Sequence, residues 1–455
     1  MTPHAPHRVT DRARLAVLVG VCALLCCGSG PAYAAAAPAR GSAPQYPAAA
    51  ERPAIAANAT GGQQGGASPT TTGSIPATTP KPSGGKPTST KTLRGNPARA
   101  LQAFNTMQQY FYIQGSGLYK GEPYSFLWPF SQALAATVSV AHIPGVSSSF
   151  AHELYVRLYG LERYWDASTQ TPTTTSSPEA TLASAAPLPS FAGTVAPPLG
   201  AGGASYYDDN EWVGIELARI YQLNHEAFAL DVARRIMAFV MAGWQTTGPN
   251  GKPLPCPGGV PFSNASTNSS RNTVTDGPAA ELGVQLYWLT HEPQYLSFAK
   301  MAYAWVRQCL LAPNGLYSDH IQNSGEIEPM QWSYNQGTMM GAGTLLYQAT
   351  GEGAYLFQAR QTAKVALEHF TTEKLELENP FFASVYFRNL LYLDSVTHDP
   401  PGPRLVQAYV NYAWENLRLS SDLFVSGSPS TSTLLGQAAV VQLYALLSTP
   451  PWTYF

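Results

Sequence analysis

Charge is scarce in this chain: Asp, Glu, Lys and Arg together make up 12% of its 455 residues. That density excludes the basic stripe with which a protein grips nucleic acid, and a formal net charge of −2 gives no field to steer a polyanion. Cysteine is scarcer still. Three of the five lie in the N-terminal segment (Cys22, Cys26 and Cys27), which leaves Cys256 and Cys309 for the rest of the chain. Neither Cys-x-x-Cys nor His-x-x-x-His occurs, so no zinc-type cluster is offered, and no metal or other cofactor is expected. A membrane-length apolar run is missing too. The apolar stretch Leu15–Gly28 is shorter than the roughly 20 residues a spanning helix needs. With Arg8, Arg12 and Arg14 before it and Ala32-Tyr33-Ala34 after it, the stretch predicts a signal peptide over residues 1–34 and a secreted, extracellular protein without a membrane span. In an exported protein Cys256 and Cys309 either form one disulfide or stay a buried free pair; their spacing does not decide.

Large apolar side chains are nearly absent from residues 35–95, which are Ala, Pro, Gly, Ser and Thr. Such a segment cannot bury enough surface to offset the entropy of ordering it, and it reads as a disordered linker. Its charges are Arg40, Arg52, Lys81, Lys86, Lys91 and Arg94 against Glu51 alone, whereas acids outnumber bases over 96–455. A basic tether ahead of an acidic domain fits cell-wall association through the linker and gives nucleic acid no purchase.

Strand-like alternation is rare after residue 95, and helical periodicity fills its place. The pattern predicts twelve helices, over 96–113, 127–142, 147–165, 209–223, 226–245, 275–290, 293–310, 334–350, 352–371, 381–396, 402–418 and 434–448. The chain also repeats itself. Tyr221-Gln222-Leu223-Asn224-His225-Glu226, Tyr287-Trp288-Leu289-Thr290-His291-Glu292 and Tyr347-Gln348-Ala349-Thr350-Gly351-Glu352 lie 66 and 60 residues apart, each closing one helix and opening the next. Recurrence of this kind marks stacked helical hairpins. The earlier helix of a pair is rich in small residues (Gly283, Gly337, Gly341, Gly436), as tight inner packing requires. The later one carries charge on one face (Asp231, Arg234, Arg235), as a wetted outer layer does. Six inner and six outer helices predict an all-α (α/α)6 barrel over residues 96–455, with an open solenoid as the alternative.

Polar residues gather where the inner helices begin: Asp208-Asp209-Asn210, Arg271-Asn272-Thr273-Val274-Thr275-Asp276 and Tyr334-Asn335-Gln336-Gly337. Each cluster alone reads as a helix cap, for which one Asp or Asn suffices. Parallel inner helices would bring all three to one concave mouth, the usual setting of a site. Asp208 and Asp209 are adjacent carboxylates, and two carboxylates of which one keeps its proton are the equipment for cleaving a glycosidic bond. Tyr206, Tyr207 and Trp212 flank them with flat apolar faces.

Tyr-Asp-Asp-Asn ahead of a helix, the turn Gly258-Gly259-Val260, the Arg/Asn-rich helix mouth and Tyr334-Asn335-Gln336-Gly337, in that order over residues 96–455, resemble glycoside hydrolase family 76. Phe381–Arg388 and Leu435–Ala439 fall where that family has its late helices. The resemblance implies an (α/α)6 barrel acting on α-1,6-linked mannan by a retaining mechanism, with Asp208 as nucleophile and Asp209 as acid/base. It implies Asn272, Asn335 and Gln336 as hydrogen-bonding partners of sugar or acids, and Tyr207 and Tyr334 as cleft walls. The chain departs from the family at the Gly-Gly turn. Pro261-Phe262 stands where two tryptophans usually follow, which weakens one expected sugar subsite. Residues 167–205, rich in Pro, Ser, Thr and Ala, read as a disordered loop or a lid.

The expected partner is therefore α-mannan or a related polysaccharide, and the expected activity is that of an exported α-mannan hydrolase. The alternatives are transglycosylation or hydrolysis of another α-linked wall polysaccharide, or a non-catalytic glycan-binding barrel. A lyase or epimerase would need a histidine, tyrosine or arginine base. The available histidines are His225, His291, His320 and His369; His225 and His291 fall in interhelix turns and His369 on an outer helix, and the set supports neither class.

Overall fold

The computed structural model describes residues 93–166, 188–398, 400–425 and 431–455. The signal peptide over 1–34, almost all of the 35–95 linker and residues 167–187 of the expected loop lie outside the described residues.

Thirteen α-helices carry the described chain. They are α1 (Asn96–Phe111), α2 (Leu127–Ala141), α3 (Ser147–Leu161), α4 (Tyr207–Asn224), α5 (Ala227–Ala242), α6 (Thr273–Thr290), α7 (Pro293–Cys309), α8 (Ser333–Thr350), α9 (Gly353–His369), α10 (Thr372–Leu377), α11 (Pro380–Thr397), α12 (Gly402–Tyr412) and α13 (Leu434–Leu446). The twelve segments expected from periodicity all appear, and the short α10 is the addition. Helices α2, α4, α6, α8, α11 and α13 pack each on the next, and α13 returns onto α2. That return closes the ring and excludes the open solenoid. Helices α1, α3, α5, α7, α9 and α12 lie outside it, so the architecture is an (α/α)6 barrel.

Burial separates the two rings. Every residue of α6 from Thr273 to Leu286 and of α8 from Ser333 to Leu346 is buried, because an inner helix is covered on all sides. Outer helix α5 buries a single stripe: Ala229, Val232, Ala233, Ile236, Met237, Phe239 and Val240. The small residues act where neighbouring inner helices meet; a Cβ on Gly337 would stand 2.8 Å from the Cα of Tyr386. The repeated hairpins close alike. His225, His291 and Gly351 adopt the left-handed conformation, and their N–H groups donate to the carbonyls of Tyr221, Tyr287 and Tyr347 at 2.8 Å. His225 and His291 are thus turn residues, as expected.

Among the described residues there are five short strands: β1 (Trp165–Asp166) pairs with β2 (Ser190–Phe191), and β3 (Ser270–Asn272), β4 (His320–Gln322) and β5 (Ile327–Glu328) form an antiparallel sheet. Asn272 faces His320 in register, which brings the approach to α6 alongside the approach to α8. Cys256 and Cys309 form a disulfide that ties the Gly-Gly turn to the end of α7. Among the described residues no helix is long and apolar enough to cross a membrane.

Candidate active site

Four inner helices start in the same way. The fourth residue of each turns back and clamps the backbone of the segment before it. In α4, Asn210 accepts from the N–H of Phe191 (2.9 Å) and donates to the carbonyls of Phe191 (2.9 Å) and Tyr206 (2.8 Å). In α8, Gln336 accepts from Tyr317 N–H (2.8 Å) and donates to the carbonyls of Tyr317 and Trp332 (both 3.0 Å). In α13, Gln437 accepts from Phe424 N–H (2.9 Å) and donates to Ala103 O (3.0 Å). In α6 the clamp is a carboxylate: Asp276 accepts from Val260 N–H at 3.1 and 3.2 Å. Buried backbone groups need partners, and these side chains supply them.

With the fourth position spent on the scaffold, the second and third are left to face the mouth. In α4 they are Asp208 and Asp209, each 8% exposed. Tyr206 precedes the helix with an extended backbone and makes no side-chain cap, so both acids lie in the first turn of α4. In α8 the same positions hold Tyr334 and Asn335, and Asn335 Nδ2 donates to Asp319 Oδ1 (3.1 Å). Asp319 Oδ2 meets His320 Nδ1 at 2.8 Å. Asn272 accepts from the Ser270 hydroxyl at 2.9 Å.

Burial pushes the Asp208 carboxyl up to about 7, against the pull of the first-turn N–H groups of Asp208 and Asp209, and the charge of Asp319 adds to the rise. Burial also raises the Asp209 carboxyl well above its ordinary range, and the charge of Asp208 adds to the rise. Adjacent carboxyls do not ionise together easily, and the first-turn N–H groups of Asp208 and Asp209 favour the charge on Asp208. The result is a buried pair of adjacent carboxyl groups, both raised above the ordinary range, on the first turn of α4.

Of the residues singled out from sequence, Asn335 binds Asp319, whose charge reaches Asp208; Asn272 pairs in register with His320, and Tyr334 stacks on Phe382. Tyr207 and Gln336 do not offer themselves to a ligand. The Tyr207 ring is fully buried and stacked on Phe239 of α5 with centroids 4.4 Å apart, because one step along the helix from Asp208 turns it toward the outer ring. Gln336 is fully buried, with its amide spent on the clamp. Arg271, from the same polar cluster as Asn272, holds the carbonyls of Pro255, Cys256 and Gly258. It braces the Gly-Gly turn.

That turn needs its glycines. Gly258 and Gly259 have φ of 113° and 86°, and a Cβ on either would lie within 2.8 Å of the Trp305 ring. Phe262, where the family's tryptophans would follow, packs edge-on to Tyr206 with centroids 5.4 Å apart. A larger aromatic group lies at the other inner-helix starts. Trp128 of α2 and Trp212 of α4 both meet Phe381 of α11 edge-on, Tyr334 stacks on Phe382 at 4.3 Å, and Trp332 leans on Phe382. Trp128, Trp332 and Phe382 keep part of their surface exposed.

Asp319, the group whose charge reaches Asp208, was not among the residues expected from sequence. It sits at the edge of a three-residue strand, too short for alternation to reveal. Residues 188–205, the described part of the expected lid, are pinned: Phe191 by Asn210, and Leu127 N–H by Gly193 O. Among the described residues no group of three or more His, Cys, Asp or Glu is arranged to hold a metal ion.

Comparison with known proteins agrees with this fold. The structure is similar to Bt3792 of Bacteroides thetaiotaomicron VPI-5482, described as a glycoside hydrolase family 76 mannosidase, with a TM-score of 0.66, 21% identity and coverage of 78% of this chain and 98% of that one. It is also similar to GH76A of Salegentibacter sp. HEL1_6, an α-1,6-mannanase seen as an inactive variant with two adjacent aspartates replaced and α-1,6-mannotriose bound (TM-score 0.61, 20% identity, 78% and 99% coverage). The mannan endo-1,6-α-mannosidase DCW1 of Candida glabrata is 30% identical over 105 residues, 21% of this chain and 24% of that protein. The chain thus spans about a quarter of the length of the curated relatives it matches. The sequence pattern of glycosyl hydrolase family 76 matches residues 98–389, well over half of the chain. Its Asp208–Asp209 pair lies inside that match, and the protein belongs to glycosyl hydrolase family 76.

Proposed function

We propose that this glycoside hydrolase is exported and cleaves α-1,6-mannosidic linkages in α-mannan with retention of configuration. The observation that carries the proposal is the pair of adjacent, buried carboxyl groups of Asp208 and Asp209 on the first turn of α4, each 8% exposed. Asp208 attacks the anomeric carbon while Asp209 gives its proton to the departing glycosidic oxygen, leaving a mannosyl ester on Asp208. Water then attacks the same carbon and passes a proton to Asp209, and the ester bond breaks to restore the Asp208 carboxylate. Retaining enzymes need their carboxyl groups about 5–5.5 Å apart, a separation neighbours on one helix turn can adopt. In this reading Asn272 and Tyr334 meet sugar hydroxyls, Asn335 acts through Asp319, and the partly exposed Trp128, Trp332 and Phe382 meet the apolar faces of pyranose rings. The Salegentibacter α-1,6-mannanase and the Candida mannan endo-1,6-α-mannosidase support the choice of linkage.

The test is a glycan panel: α-1,6-mannan, α-1,2-substituted mannan, α-glucan and β-mannan, each incubated with the mature domain. Oligosaccharide release from α-1,6-mannan and not from β-mannan is expected. Release from none of them by a folded protein would contradict hydrolysis and leave a glycan-binding barrel. Export belongs to the same proposal, and an N-terminus other than one shortly after Ala34 in secreted material would contradict it.

A further inference from the structure

One buried acid beside the pair is not used by the reaction as written. Glu211 lies on α4 one helical turn after Asp208 and is fully buried, and neither of its carboxyl oxygens meets a hydrogen-bonding partner among the described residues. Oδ1 of Asp208 is in the same condition. The buried cations nearby are engaged elsewhere. Arg388 faces Glu216 at 3.4 Å and Glu281 at 3.5 Å, Arg219 binds Glu216 at 2.7 Å, and Arg271 is spent on loop carbonyls. The groups whose charge reaches Glu211 are Asp208 on its own helix and Asp276 and Glu281 from α6. The Tyr207 hydroxyl, also buried and without a partner among the described residues, lies within its electrostatic reach.

An anion here would have three acids around it and no counter-charge, so Glu211 rests as the neutral acid. Burial comes first among the causes, with the three carboxylates adding to it. A neutral carboxyl has one O–H to donate. Leaving that donor and an Asp208 oxygen both unpaired would cost about 1–3 kcal/mol for each group. Buried water with two to four polar partners is the usual remedy. A leucine of similar volume would avoid the cost altogether, so the fold itself gives no reason for a carboxyl at this position.

We propose that Glu211 is a positioning residue for the nucleophile: its neutral carboxyl donates through one ordered water to Oδ1 of Asp208 and fixes that carboxylate for attack. The proposal rests on the assignment of Asp208 as nucleophile. Glu211 touches no reacting atom. It supplies a hydrogen bond that favours Asp208 as the anion and limits its rotation. A glutamine in its place would keep a donor, and a leucine would not.

The experiment compares Glu211→Gln and Glu211→Leu with the unaltered protein on α-1,6-mannan across pH. For Glu211→Leu, kcat is expected to fall about tenfold with KM unchanged, and the acid limb of kcat/KM to move up by about one pH unit. Glu211→Gln is expected to stay within about twofold with the limb in place. An unmoved limb in Glu211→Leu, or a Glu211→Gln variant as impaired as Glu211→Leu, overturns the proposal. A readout that needs no substrate keeps the two assignments separable. The thermal shifts of Glu211→Leu and Asp208→Asn should be non-additive in the double variant, and additive shifts overturn the link whether or not mannan is cleaved.

Discussion

The first turns of α4 and α8 are built on one plan and put to different uses. Both begin after an extended aromatic residue, Tyr206 or Trp332, whose carbonyl accepts from the amide at the fourth helical position. That amide, Asn210 or Gln336, also takes both backbone groups of a residue 19 positions earlier. Between these matching ends the sequences diverge: Asp208-Asp209 in α4, Tyr334-Asn335 in α8. The difference teaches which positions are scaffold and which are chemistry. A polar side chain at the fourth position holds the barrel mouth together, and the two residues before it decide what the mouth can do.

Exchanging the chemistry without touching the scaffold should produce the largest effect. Asp208→Asn and Asp209→Asn should each lower kcat on α-1,6-mannan by at least about a thousandfold, with the helical circular-dichroism spectrum unchanged. Near-normal turnover in either would erase the distinction between α4 and α8. The reverse exchange comes next. Asn210→Ala and Gln336→Ala each orphan buried backbone groups, and each should cost about 2–4 kcal/mol in denaturant unfolding. If Gln336→Ala proved stable yet inactive, Gln336 would be a ligand after all.

The two mouths should also part in their response to pH. Asp208 titrates near 7 and Glu281 near 8 in the folded protein, and Asp209, Glu211 and Asp276 are raised as well, chiefly by burial. The folded state therefore binds more protons than the unfolded one above the ordinary carboxyl range. Their contribution is fully present below about pH 4 and is lost as pH rises toward 8. Thermal stability should fall across that window, and Asp209→Asn should flatten the fall, whereas Asn335→Asp should steepen it. The smallest effect is expected at the aromatic rim. Trp128→Ala should raise KM several-fold, about 1 kcal/mol of stacking, with kcat nearly unchanged.

Much of this was legible in the chain. The alternation of small-residue and charged helices gave the two rings, because an inner helix covered on all sides tolerates neither bulk nor charge where backbones meet. The His225, His291 and Gly351 turns gave the hairpin repeat. The acid pair stood out because a cap needs one carboxylate. Closure of the ring was not legible, since it depends on α13 reaching α2 across the whole chain. Gln336 and Tyr207 looked like ligands because an amide or a ring at a helix mouth reads the same whether it turns inward or outward; a single helical step settles its direction. Asp319 and Glu211 escaped notice for different reasons. Asp319 directly precedes a strand too short to show a period, and Glu211 drew no role because nothing local says that the nearby cations are engaged elsewhere.

The most direct test of the Asp208–Asp209 assignment is proton NMR of the first reducing ends released from α-1,6-mannan, recorded before mutarotation. A nucleophilic Asp208 predicts α-configured ends that later equilibrate with β. Initial β-configured ends would mean single displacement by water and would contradict the account.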